Sequence, residues 1–372
     1  MPSSLLSRCA VIGAVIALLV SLIISGTFAR LGLFRLIARY VPRTIGLTPA
    51  FASEPWAFTH ADVALLSLKG QHALITGANS GVGFETALAL ARRGAHVALA
   101  CRNAHRCALA ADEVRRVAAE GAMITTYDLD TSSLASVRNF AASFSGTQPS
   151  LDMLFLNAGF ASAGTLADGT LPLSIDGIEL VMATNHVGHS LLYTLLLSKL
   201  VASKIGRVVL TSSASSFDSY PYGVATDLKT LNNAGAGVFL PLMPYGQSKL
   251  AQILFAQEAT EELRIANISN VYINSFHPGM VSTGIWGKNP LLTNVMKTVE
   301  WLEDNMMWEC KDGALTMIYL GAAVEEIVTK DIRGQYFHPQ AVKVTPPPHA
   351  RDLILQKRFF QFTKELIAME GA

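Results

Sequence analysis

The sequence predicts an α/β fold, a doubly wound parallel sheet in a single domain, with an N-terminal transmembrane helix ahead of it. Three observations carry this. Apolar runs of strand length recur along the chain, amphipathic helical patterns separate them, and an uncharged stretch long enough to cross a bilayer precedes them all. In order, "HALITGANSGVGFETALALARRGAHVALACR" holds an apolar strand (73–75), a glycine-bearing turn, an amphipathic helix (84–93) and a second strand (96–100). Such a βαβ unit opens a parallel sheet. Further strands fall at 122–129, 151–159, 206–214 and 269–279, with helical patterns such as "LASVRNFAASF" and "SKLAQILFAQEATEEL" between them. The alternation favours one sheet covered on both faces over two domains.

Residues 216–243 break the rhythm with glycines, prolines and polar residues, and a loop of that length inside a compact domain is expected to be functional. The final apolar-periodic stretch, "LILQKRFFQFTKELIAM", is expected to pack on the core. The predicted division is a membrane anchor with an amphipathic flank (1–41), an irregular linker broken by Pro42, Pro49 and Pro55 (42–68), a nucleotide-binding domain (69–345) and a C-terminal helix (346–372).

The N-terminal run "CAVIGAVIALLVSLIISGTFA" (9–29) is uncharged and matches the ~30 Å of hydrocarbon that a helix must cross. Arg30, Arg35, Arg39 and Arg43 follow it and only Arg8 precedes it, so the positive-inside rule places the globular part in the cytosol. The endoplasmic reticulum is the expected membrane, with a mitochondrial membrane as the alternative. A cleavable signal peptide and an organellar transit peptide are the competing readings of the same stretch. With a formal net charge of +1 and 15% charged residues, the chain has no field for gripping a polyanion, which disfavours nucleic-acid binding. Cys9, Cys101, Cys107 and Cys310 form no CxxC pair and are expected as free thiols, with no metal site. His186 and His189 stand three apart, without a carboxylate or cysteine near in sequence, and read as helix packing.

"TGANSGVG" (76–83) places Gly77, Ser80, Gly81, Val82 and Gly83 between a strand and a helix. Backbone N–H groups in such a Rossmann-type turn approach a pyrophosphate at the helix N-terminus. An NAD site carries an acidic residue at the end of the second strand, about 20 residues on. No Asp or Glu occurs between Glu85 and Asp112; the strand ends "ACRNAHR", which sets Arg102 and Asn103, with Arg106 nearby, where a 2′-phosphate would lie. The predicted cofactor is NADP(H). Asp128 and Leu129 end the third strand, and Asn157, Ala158 and Gly159 end the fourth, on the side where ligands of such sheets collect.

"YGQSK" (245–249) puts Tyr245 and Lys249 on one helical face. With "TGANSGVG", "NAG" and "TSSAS" ahead of it in order, the chain resembles the short-chain dehydrogenase/reductase family over roughly 70–345. "TNHVGHSLL" and "FHPGMVST" are most similar to its membrane-anchored branch, which includes retinol dehydrogenases.

The resemblance implies that Tyr245 exchanges a proton with the substrate oxygen, while Lys249, with the oxidised nicotinamide, lowers the phenol pKa and holds the nicotinamide ribose. It implies that Ser213, second of the serine pair, steadies the substrate oxygen, and that Asn185 holds a water of the proton relay. Pro278, Gly279, Val281 and Thr283 match the segment that closes over the nicotinamide. The long 216–243 segment is read as part of the substrate pocket. The expected activity is interconversion of a lipophilic carbonyl (retinoid, steroid, polyprenoid or fatty aldehyde) with its alcohol, the partners being that small substrate and a membrane. A homodimer is left open. The alternatives are a carbon–carbon double-bond reductase on the same scaffold and a non-catalytic NADP-binding membrane protein.

Overall fold

In the computed structural model, residues 57–161, 170–233, 243–281 and 308–369 are described. The apolar run 9–29 and Thr283 lie outside them. Among the described residues no helix is long and apolar enough to cross a membrane.

The chain opens with α1 (His60–Leu65), where Thr59 and Asp62 form a reciprocal capping box. This helix falls in the stretch expected to be irregular. The capping pair and burial of Phe58, Val63 and Leu68 explain why a single turn and a half persists there. There follow β1 (His72–Thr76), α2 (Gly81–Arg92), β2 (His96–Cys101), α3 (Ala104–Val117), β3 (Ile124–Asp128), α4 (Leu134–Thr147) and β4 (Met153–Leu156). Next comes α5, which runs Leu180–Met182, passes a π turn at Ala183–Val187 and continues as Gly188–Val201. The second half holds β5 (Gly206–Thr211), a 3-10 turn (Ala214–Asp218), α6 (Leu228–Asn233), α7 (Met243–Ile265) and β6 (Val271–Phe276). Last are α8 (Cys310–Gly313), α9 (Leu315–Ala322), α10 (Val324–Thr329), β7 (Tyr336–His338), β8 (Val342–Lys343) and α11 (Leu353–Ala368).

The eight strands form one sheet in the order β3-β2-β1-β4-β5-β6-β7-β8. All neighbours are parallel except the β7–β8 edge pair. Strands β4, β5 and β6 are buried at every position, which is why they read as continuous apolar runs rather than alternating ones. One core layer lies between the sheet and α4, α5, α7 and α11; the other lies beneath α1, α2, α3 and α9. Phe359, Phe360, Phe362 and Leu366 sink α11 into the first layer, as the apolar period of that segment predicts.

Cys101 and Cys107 are joined by a disulfide, which corrects the expectation of free thiols at these two positions; Cys310 is in no disulfide. Cys101 ends β2 and Cys107 sits in the first turn of α3. The strand-to-helix bend brings their Cα atoms to 5.9 Å, an ordinary span for such a bond.

Candidate active site

The topology reverses between β1 and β4, and the carboxyl ends of these strands border a cleft of about 710 Å³. At one end stands the glycine turn. Gly77 has φ +66°, and a Cβ there would meet the Ala158 Cα at 2.9 Å; at Gly83 it would meet Asn157 Nδ2 at 2.6 Å. These approaches bring the turn after β1 against the loop after β4. Ser80 precedes α2 without making a side-chain cap, so the first amides of that helix are left for a ligand at its positive end. Ser80, Gly81 and Val82 line the cleft, as do Arg102 and Arg106.

Two of the predicted cofactor contacts are displaced. Asn103 does not line the cleft: its Oδ1 accepts the Arg106 amide at 2.9 Å and caps α3. Asp128 is paired opposite Cys101 at the outer strand and exposed, while Leu129, Asp130 and Thr131 form that wall instead. Asn157, Ala158, Gly159, Pro278, Gly279 and Val281 all border the cleft.

At the other end stand Tyr245 and Lys249. Gly246 lets α7 press on the 3-10 turn, since a Cβ there would meet the Ser215 carbonyl at 2.6 Å. Tyr245 and Ser213 line the cleft together. Ser212 is turned away, donating to the Lys249 carbonyl at 2.7 Å. The alternation of the pair therefore leaves Ser213 facing the cleft. The Lys249 ammonium donates to the Thr211 carbonyl at 2.8 Å and lies 5.6 Å from the Tyr245 ring centre. Burial pushes both groups toward neutrality: Lys249 falls to about 7 and the Tyr245 phenol rises, an effect that the neighbouring Ser213 hydroxyl opposes.

Asn185 sits in the π turn, fully buried beneath the cleft floor. Such turns occur at functional positions because they release a carbonyl from the helix ladder. Its Oδ1 accepts the Phe160 amide at 3.0 Å; its Nδ2 donates to the Phe160 carbonyl at 3.1 Å and to Ser248 Oγ at 2.9 Å. Gly159 makes room, since a Cβ there would lie 2.8 Å from Asn185 Oδ1 and 3.5 Å from Lys249 Nζ.

The structure adds residues that the sequence did not single out. Phe160, Ala161, Pro172 and Leu180 give the Tyr245 end an apolar wall, and Val181, Ala161 and Tyr245 pack together. The Tyr336 hydroxyl donates to the Ser213 carbonyl at 3.4 Å. The described part of the 216–243 segment does not line the cleft. It braces the helices behind it: the Ala225 amide donates to Gln247 Oε1, and Asn232 bonds the Glu179 amide and the Gly177 carbonyl. His186 and His189 are buried and hydrogen-bonded, as expected of packing residues. Among the described residues no group of three or more His, Cys, Asp or Glu is set to hold a metal.

A parallel sheet with a glycine-turned cleft at its switch point defines a dinucleotide-binding oxidoreductase scaffold. Within that class the chain belongs to the short-chain dehydrogenase/reductase family. The short chain dehydrogenase family model matches residues 71–225. Dehydrogenase/reductase SDR family member 13 of Bos taurus is 35% identical over 307 residues, covering 82% of this chain and 75% of that one. Retinol dehydrogenase 13 of Homo sapiens is 32% identical, covering 82% and 87%. The chloroplastic short-chain dehydrogenase TIC 32 A of Brassica napus is 34% identical, covering 81% and 90%. Among solved structures, an uncharacterized protein from Mycobacterium paratuberculosis superposes with a TM-score of 0.61 at 27% identity, covering 83% of this chain and 98% of that one. The chain is thus an NAD(P)-binding oxidoreductase of the CH–OH/C=O kind with relatives among the retinol dehydrogenases.

Proposed function

We propose that the protein is an NADP(H)-dependent reductase and dehydrogenase that interconverts a lipophilic carbonyl and its alcohol at a membrane. The carrying observation is the convergence of Ser213, Tyr245 and Lys249 on the same cleft that the glycine turn lines. The cleft suits a dinucleotide: the amides at the α2 N-terminus and the close glycine approaches suit a pyrophosphate, and the same cleft is lined by Arg102 and Arg106 as well as by Tyr245 and Lys249. Arg102 and Arg106 would hold a 2′-phosphate, and no carboxylate ends β2 to bind a ribose hydroxyl in its place.

When bound, the reduced nicotinamide supplies the hydride for the carbonyl carbon. Ser213 donates a hydrogen bond to the carbonyl oxygen, where negative charge develops, and Tyr245 transfers its phenolic proton to that oxygen. In the oxidative direction Tyr245 takes the proton back. Lys249 holds the nicotinamide ribose and, when protonated, stabilises the phenolate. Asn185 fixes the Phe160 loop and Ser248 around the pair. The apolar wall of Phe160, Pro172 and Leu180 supports a lipophilic substrate, and the apolar run 9–29 supports a membrane location in the endoplasmic reticulum with the site in the cytosol.

The test is NADPH consumption by the full-length protein in detergent, with retinal, steroid ketones, polyprenals and long-chain aldehydes as substrates. Tyr245→Phe is expected to lower kcat by roughly 10²–10⁴-fold while NADPH binding persists. Turnover retained by that variant removes Tyr245 from its role. NADPH binding without turnover of any carbonyl by the wild type sinks the carbonyl reading.

A further inference from the structure

We infer that His189 is a positioning residue that joins the cofactor loop to the catalytic helix, each ring nitrogen serving one side. The network fixes its tautomer. Thr76 Oγ1, at the end of β1, accepts the amides of Asn157 and Ala158, both at 2.9 Å. With its lone pairs so used, the hydroxyl has its proton left to donate, and His189 Nε2 at 2.9 Å is nearer than the Phe155 carbonyl at 3.3 Å. Nε2 therefore accepts, and Nδ1 carries the ring proton. Nδ1 donates to the Asn185 carbonyl at 3.1 Å, inside the π turn. Gln252 Nε2 donates to the same carbonyl and lies 3.3 Å from His189 Nδ1.

Two consequences follow for the site. The Asn185 carbonyl is engaged by two side chains, and the Asn185 side chain braces the Phe160 loop. The position of that brace is coupled, through one fully buried ring, to the Thr76 hydroxyl that orients Asn157 and Ala158 beside the glycine turn. A buried acceptor left without its donor is costly, so each half of the linkage matters to what it holds.

Two substitutions separate the halves. In His189→Asn the amide nitrogen overlays Nδ1, keeping the donor to Asn185 and losing the acceptor for Thr76. In His189→Gln the amide oxygen overlays Nε2, keeping the Thr76 bond and losing the one to Asn185. The expected result is a double dissociation in the full-length protein. His189→Asn raises the NADPH Kd, read by fluorescence titration, by roughly tenfold with a smaller loss of kcat; His189→Gln lowers kcat by roughly tenfold with a smaller change in Kd.

The kcat arm rests on the proposed carbonyl reaction, whereas the Kd arm does not. A third readout also stands without turnover: amide hydrogen exchange across the π turn rises in His189→Gln and stays near wild type in His189→Asn. Equal loss of both parameters in the two variants, or no loss in His189→Leu, overturns the inference. Loss of Kd and kcat together with a lowered melting point in both variants identifies a merely structural histidine, and overturns it as well.

Discussion

Removing both guanidiniums at the far end of the cleft, by Arg102→Ala with Arg106→Ala, tests the choice of dinucleotide. Both side chains line the cleft and both residues are exposed, so their pairing with a 2′-phosphate is screened by solvent. An exposed charge-assisted contact of this kind is worth about 1 kcal/mol, or about 2 kcal/mol for the pair, which raises the NADPH Kd by roughly thirtyfold. NADH has no 2′-phosphate and should change by less than about twofold, so the double variant loses discrimination rather than binding. The segment that carries the arginines is clamped by the Asn103 cap and the Cys101–Cys107 bond, so neither substitution should disturb the turn itself. The assay is fluorescence titration of both cofactors at low and high salt; the NADPH advantage of the wild type should shrink as salt rises. If the two Kd values move together, or the wild type binds NADH as tightly as NADPH, the arginine argument is wrong.

Three further outcomes are expected. Gly159→Ala drives a Cβ against Asn185 Oδ1 and should break the bond from the Phe160 amide, costing about 1–3 kcal/mol in a denaturant melt and lowering kcat. His186 and His189 are held neutral by burial, down from 6.5 to about 4 and about 3. Their folded values lie below the unfolded ones, so the stability they contribute is present above pH ~6.5 and is lost as pH falls through their folded values. His186→Phe, which keeps the ring packing against Phe255 and Phe359, should flatten that acid limb of a stability-versus-pH curve. Glu179 has the opposite sign: burial raises it from 4.5 to about 7, so its contribution is complete below pH ~4.5 and is lost as pH rises through about 7. Glu179→Gln should remove that loss, and an unchanged slope would show that the carboxyl titrates normally.

What could be read from the residues alone was what is local. The strand–turn–helix unit announces itself through closely spaced glycines, and Tyr245 and Lys249 meet because about four residues make one helical turn. Strand alternation allows only one of the two serines to face the cleft, and the family resemblance picked the second. The rest depends on contacts between distant segments. Thr76 and His189 are 113 residues apart, and Asn185 and Ser248 are 63 apart, so neither pair leaves a periodic trace. The two-residue β8 and three-residue β7 are too short to show alternation, yet β7 brings Tyr336 to Ser213. Asn103 looked like a phosphate ligand because its position is right, but an Asn just ahead of a helix caps it first. The disulfide was hidden because a spacing of six residues implies nothing until a strand and a helix fold back at that point.

The C-terminal helix α11 reaches the site's support from the far end of the chain. Thr363 Oγ1 lies 3.1 Å from His186 Nε2, and the Phe359 ring packs on the same imidazole, one residue from Asn185. The two partners are separated by 177 residues. At about 5–20 residues per second of synthesis, the helix that bears Asn185 waits roughly 10–35 s after leaving the ribosome's decoding site before Thr363 is even made. The glycine turn and its strand can be assembled well before then, so a growing chain passes through a stage in which it holds dinucleotide-binding parts but lacks the last prop of its catalytic helix. Synthesis and docking of α11 thus serve as a late step in building the site.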